Sequence, residues 1–198
     1  MQVGILKHDP IPPYAIPVAG FKSRKAAQVS AFFALKEDGI IDKLKLIKLI
    51  YFSERKFLSE NHIPILWDEF YSLFNGPICS GTLNGINGVI HVDIWSEFVA
   101  RNGNQVVALK KFGRSDFDEI SNAEWAAIEY IWKELGSKTT SQLRNYSHSH
   151  CPEYTQVPEG ERLPISYRDI LEAFGDQTAD SVEREINSAR RAESALAA

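Results

Sequence analysis

No apolar run in the chain approaches the ~20 residues that a membrane-spanning helix needs. The opening residues, MQVGILKHDPIPPYAIP, lack the basic start, long apolar stretch and small-residue cleavage site of a secretory leader. Cysteine is scarce: two thiols, Cys79 and Cys151, in 198 residues make no disulfide framework and read as free, partly buried groups. These absences predict a protein of the cytoplasm. Glycines 76, 81, 85 and 88 lack the compact spacing and the Lys-Ser/Thr ending of a phosphate loop, so turn and packing roles are expected. A net charge of −4 makes a poor match for a phosphate backbone, and no specific nucleic-acid partner is expected. Internal repeats and low-complexity stretches are missing as well.

What is present suits one domain with a core of ordinary size, since 44% of the residues are hydrophobic. Charge is divided unevenly. Residues 1–66 carry ten Lys and Arg against six Asp and Glu, whereas residues 67–198 carry twelve against twenty. Such a split can orient a charged partner. Four of the nine prolines fall at positions 10, 12, 13 and 17, which predicts an extended lead-in over residues 1–22. Residues 23–175 then read as a helical domain and residues 176–198 as a polar C-terminal helix.

The expected class is mainly α (α+β), a helical domain with a small antiparallel sheet or hairpin. A first helix is expected from Ser23, as N-cap, to about Asp38 before Gly39. A second, from about Asp42 to Asn61, is apolar on most sides through Leu44, Leu46, Ile47, Leu49, Ile50, Tyr51 and Phe52, so it belongs at the centre. Trp67 to Phe74 reads as an aromatic strand, and Ser80 to Val89 as a short helix. Trp95–Ala100 and Gln105–Lys110 flank Asn102-Gly103, which predicts a β-hairpin. Ser121-Asn122 caps a helix to Leu135, closed by Gly136. Thr140–His148, a Ser166-capped segment to Phe174, and Asp176 to about Ala195 complete the helices.

Few residues invite a chemical role. Glu54 shares a helical stripe with Ile47, Ile50 and Phe57, so its carboxylate is expected in the interior. A buried charge needs partners; backbone amides or a basic side chain would supply them, with a catalytic base in an apolar pocket as the alternative. His148-Ser149-His150-Cys151 lacks the second ligand pair of a zinc site, and its histidines fall on different helical faces. Neither metal nor cofactor is expected, and no spacing identifies a base for a Cys79 nucleophile. Lysines 43, 45 and 48, with Arg55-Lys56, read as a solvated basic face.

One stretch is more specific. Leu49-Ile50-Tyr51-Phe52-Ser53-Glu54-Arg55, then His62-Ile63-Pro64, then Asn75-Gly76-Pro77 resemble the signature of the Panacea domain, the SocA-like antitoxin domain of bacterial and phage toxin–antitoxin systems. Leu143 to Tyr154, with His148, looks like a looser version of a later motif. The chain departs from the pattern with Glu54 for aspartate, Phe57 where histidine is frequent, Asn75 where tyrosine is frequent, and Tyr154 where tryptophan is common. The resemblance implies an antitoxin rather than an enzyme: a protein that binds and neutralises a cognate protein toxin, some relatives passing theirs to a cellular protease. It marks Tyr51, Glu54, Arg55, Pro64, Gly76, Pro77 and His148 as structural motif residues. Alternatives are a hydrolase-like enzyme centred on Glu54 or a phage- or plasmid-encoded regulator touching DNA through the basic helix. Partner contact is expected at the Trp67–Phe74 strand and the Asn75-Gly76-Pro77 turn, through Arg55, Tyr71 and Asn75, since an edge strand offers unpaired backbone and alternate aromatic side chains.

Overall fold

In the computed structural model, which describes residues 20–196, α1 (Ser23–Lys36) is interior from Ala26 to Ala34 without a break. Almost all of the expected proline-rich lead-in lies outside the described residues. Ser23 is the first helical residue rather than the N-cap. Its hydroxyl accepts from Trp95 Nε1 at 2.9 Å, satisfying a buried indole N–H. The helix stops at Lys36 because Asp38 and Gly39 both have positive φ, 55° and 95°, which no right-handed helix admits.

Strand β1 (Ile40–Asp42) leads into α2 (Lys43–Asn61), whose N-cap Asp42 accepts from Lys45 N at 3.0 Å. Leu46, Ile47, Leu49, Ile50 and Tyr51 are each 1% exposed or less, so α2 is central, as the pattern predicts. It ends at His62, left-handed at φ 57°.

The rest of the chain wraps α2. β2 (Phe70–Leu73) and β3 (Gly76–Cys79) form a hairpin around Phe74-Asn75, and α3 (Ser80–Ile86) follows at once. α4 (Val92–Trp95) precedes a second hairpin, β4 (Val99–Asn102) and β5 (Gln105–Ala108). α5 (Asn122–Leu135) and α6 (Thr140–His150) have reciprocal caps at Ser121/Glu124 and Thr139/Gln142. β6 (Leu163–Ile165), α7 (Tyr167–Glu172) and α8 (Ala179–Leu196) close the described chain. Val182 and Ile186 of α8 join the same hydrophobic core as α2.

The class is mainly helical α+β, as expected, but two three-stranded antiparallel sheets replace the single one: β1-β5-β4 and β3-β2-β6. Two strand boundaries and one strand's place in its sheet differ. Trp95 ends a helical turn instead of opening a strand, because its ring fills the space over Gly85, where an added Cβ would lie 2.0 Å from it. Trp67 has φ 57° and stands outside the strand, which is confined to Phe70–Leu73. β2 is the middle strand, paired with β3 on one side and β6 on the other, so the free edge expected for it does not exist.

Candidate partner-binding site

Helical steps from Lys48 to Tyr51 to Arg55 line up one side of α2. Tyr51 Oη donates to Glu153 Oε1 at 2.8 Å, and Arg55 reaches the same carboxylate through Nε at 2.6 Å and Nη2 at 3.2 Å. The Glu153 side chain is wholly buried, and the Arg55 guanidinium also lies 4.3 Å from the Phe174 ring. This two-pronged ion pair ties α2 to the segment after α6. Most of the Arg55 side chain is therefore engaged within the fold, with 13% of it left exposed.

An adjoining face of α2 carries Glu54, 1% exposed. Its oxygens accept the amides of Ile65 at 3.0 Å and Leu66 at 2.5 Å, just past the buried Pro64. Burial raises this carboxyl to about 8 against the downward pull of those amides. Glu54→Ala is expected to lower stability by about 1–3 kcal/mol, because two buried amides lose their acceptor. Chemical denaturation measures this; an unchanged midpoint contradicts it.

Asp68 carries a role that the sequence reading missed. It is fully buried and accepts from Glu69 N, Gly81 N, Thr82 N and Thr82 Oγ1 at 2.6–2.8 Å, so it fastens the start of α3 to the approach to β2. Burial raises it to about 6 despite these donors. No local signal marks it, since its partners lie 13 and 14 residues downstream.

The basic face expected to be solvated is largely turned inward. Lys48 is fully buried and donates to the Pro77 carbonyl at 2.6 Å; Lys45, 7% exposed, pairs with Glu37 at 2.7 Å. Burial lowers Lys48 to about 7, with Arg144 acting in the same direction and the Cys151 and Cys79 thiols opposing. Gly76, at φ 99°, makes this possible. A Cβ there would meet Ser147 Oγ at 2.6 Å, Lys48 Nζ at 2.7 Å and the His148 ring at 3.2 Å. His148 packs on Tyr154 with ring centroids 4.6 Å apart, and Tyr154 Oη donates to the Leu73 carbonyl at 3.0 Å. Lys48 from α2 and His148 from α6 thus meet at Gly76 of the β2–β3 turn, whereas Tyr51, Glu54 and Arg55 make their bonds away from it.

Beside that turn lies a cleft of about 540 Å³. Leu44, Ile47, Leu73, Ile78 and Leu83 supply its apolar surface, and Phe74, 39% exposed, stands with Asn75 at its edge. Tyr71 and Arg55 line other clefts. Tyr71 donates to Glu69 at 3.3 Å under the Arg162 guanidinium, in a hollow of about 220 Å³, and Arg55 lines one of about 510 Å³. The structure therefore leaves Asn75 alone, of the three expected contact residues, at the turn. His148 and His150 do not converge: His150 stacks on Tyr146 at 3.8 Å instead. Among the described residues no three His, Cys, Asp or Glu group as metal ligands, and no helix is long and apolar enough to cross a membrane.

Compared with protein-family models, residues 46–153 match the one described as antitoxin SocA-like, Panacea domain. No curated protein matches the chain, and no solved structure does. The matched stretch runs from Leu46, in the first turn of α2, to Glu153 and contains Lys48, the Asn75-Gly76-Pro77 turn, Ser147 and His148, with Tyr154 one residue beyond it.

Proposed function

We propose that this chain, which belongs to the Panacea-domain family of SocA-like antitoxins, neutralises a cognate protein toxin by binding it directly. The observation that carries the reading is the cleft at the β2–β3 turn, whose apolar floor is built mostly by residues of the matched stretch, Ile47, Leu73, Ile78 and Leu83. Its apolar surface, half-exposed Phe74 and polar rim of Lys43, Asn87, Glu159 and Glu161 suit a protein partner. Interfaces of this kind combine a few aromatic anchors with a preformed apolar floor and a hydrogen-bonding edge.

The neighbouring polar groups support a binding role over an enzymatic one. Both oxygens of Glu54 are taken by amides in the closed core, leaving it poorly placed to receive a substrate proton. Lys45 and Lys48 face inward, which weakens the case for a DNA-contacting helix. Contact is assigned to Phe74 and Asn75, in place of Arg55 and the central strand.

The test is to express the gene's immediate neighbours singly, to find one that arrests growth, and to coexpress that one with this chain. The parent is expected to restore growth and to copurify with the toxin. Phe74→Ala is expected to weaken the complex at least tenfold with an unchanged melting temperature, since its ring is half exposed. If the folded variant binds and protects as well as the parent does, this cleft is not the contact surface.

A further inference from the structure

Three basic side chains meet at the Asn75–Gly76 turn without an acid among them. Lys48 rises from α2 beneath the turn, and Arg144 and His148 descend from α6 beside it. Lys48 is fully buried, and its one hydrogen bond goes to a neutral carbonyl, that of Pro77. Arg144 Nε and His148 Nε2 are both closed off from solvent with no hydrogen-bond partner among the described residues. The remaining Arg144 nitrogens make no ion pair there either; the guanidinium lies 5.6 Å from the exposed Phe74 ring. A buried donor without an acceptor is expensive, and like charges held together make it more so. Elsewhere in the fold such groups are paired, Arg55 with Glu153 and Lys45 with Glu37.

We infer that Arg144, His148 and Lys48 form a seat for one acidic side chain of a partner polypeptide, an inference resting on the partner-binding reading above. Arg144 presents the planar fork that grips a carboxylate with two hydrogen bonds. The His148 ring donates to the Asn75 backbone, so Nε2 bonds the carboxylate as a donor once the ring takes up a proton, which the arriving negative charge favours. Lys48 supplies positive field from below, brought close by the missing side chain of Gly76. Phe74, half exposed over Arg144, borders both the seat and the adjoining cleft, so a partner that contacts its ring can seat a carboxylate and fill the cleft together. A long polyanion fits poorly, because Glu159 and Glu161 border the same cleft and the chain is net negative.

Two measurements decide this. Acetate and inorganic phosphate are titrated into the isolated protein while the His148 ring and Arg144 Nε–H resonances are followed by NMR. Saturable acetate shifts, lost in Arg144→Gln and weakened in Arg144→Lys, are expected. Shifts that never saturate, or that survive in folded Arg144→Gln, overturn the seat. Phosphate saturating at least tenfold more tightly than acetate replaces the acidic side chain with a phosphorylated one. With the toxin, Arg144→Glu is expected to weaken copurification at least tenfold, and one Asp or Glu→Lys change in the toxin to restore it. Full toxin binding by folded Arg144→Glu sinks the inference while sparing the antitoxin reading. If the parent binds no toxin at all, the antitoxin reading falls, and the acetate titration still decides the seat.

Discussion

Replacing Asp68 by alanine is expected to remove about 3–5 kcal/mol of stability and to lower Tm by roughly 10–15 °C in a domain of this size. Four donors, three of them backbone amides, lose their acceptor at a position that water does not reach. The deletion also frees the first turn of α3 from β2. α3 has no other side-chain cap, so the loss is not made up locally. Asp68→Asn preserves the shape but turns an NH2 group toward donors, and is expected to lose about 2 kcal/mol or more. Thermal melts of both variants decide the matter. An alanine variant melting within a degree or two of the parent would show that α3 is held in some other way.

Asp68 also shows where sequence reasoning ends. The elements that announce themselves do so locally. Ser121 with Glu124 caps α5 by a reciprocal bond within one turn, and α2 declares its burial through apolar residues on most of its sides. β1 and β6 give no such signal, because three residues are too few for alternation to register. They exist because β5 and β2 offer them an edge. The same division runs through the site. Glu54 was legible as an interior carboxylate because its helical stripe is apolar. Arg55 was not legible as a cation tied into the fold, since Glu153, which engages it, lies 98 residues on. Lys48 looked like one member of a solvated row. Only the fold shows that Gly76-Pro77 lies against it, and only there does its charge become a liability.

That liability gives stability a pH dependence. Lys48 is held near 7 in the folded protein, against an unfolded value of about 10.5. Below pH 7 both states carry the proton, and the folded protein bears the full penalty of a buried charge. Between pH 7 and 10.5 the unfolded chain binds more protons than the folded one, so this contribution to stability rises with pH. Glu54 and Asp68 act in the opposite sense. Their folded values near 8 and 6 exceed those of free carboxyls, so stability falls as pH rises through these values. The parent's own profile therefore mixes both trends, and the difference between parent and Lys48→Met isolates the lysine. Methionine keeps the unbranched stem in the core and gives up the Pro77 hydrogen bond together with the charge. At pH 6 the variant is expected to be the more stable protein by a few kcal/mol, and that lead is expected to shrink by about 2–3 kcal/mol by pH 9. Urea unfolding of the two proteins at pH 6, 7, 8 and 9 measures it. A difference that stays constant across that range would mean that Lys48 does not change its protonation on folding. The same variant is expected to bind the toxin less well despite its greater stability, because an unneutralised cation under the turn is what a partner carboxylate would relieve. Stability gained and binding lost at one residue is the pattern that separates a site kept for a partner from an ordinary defect in the core.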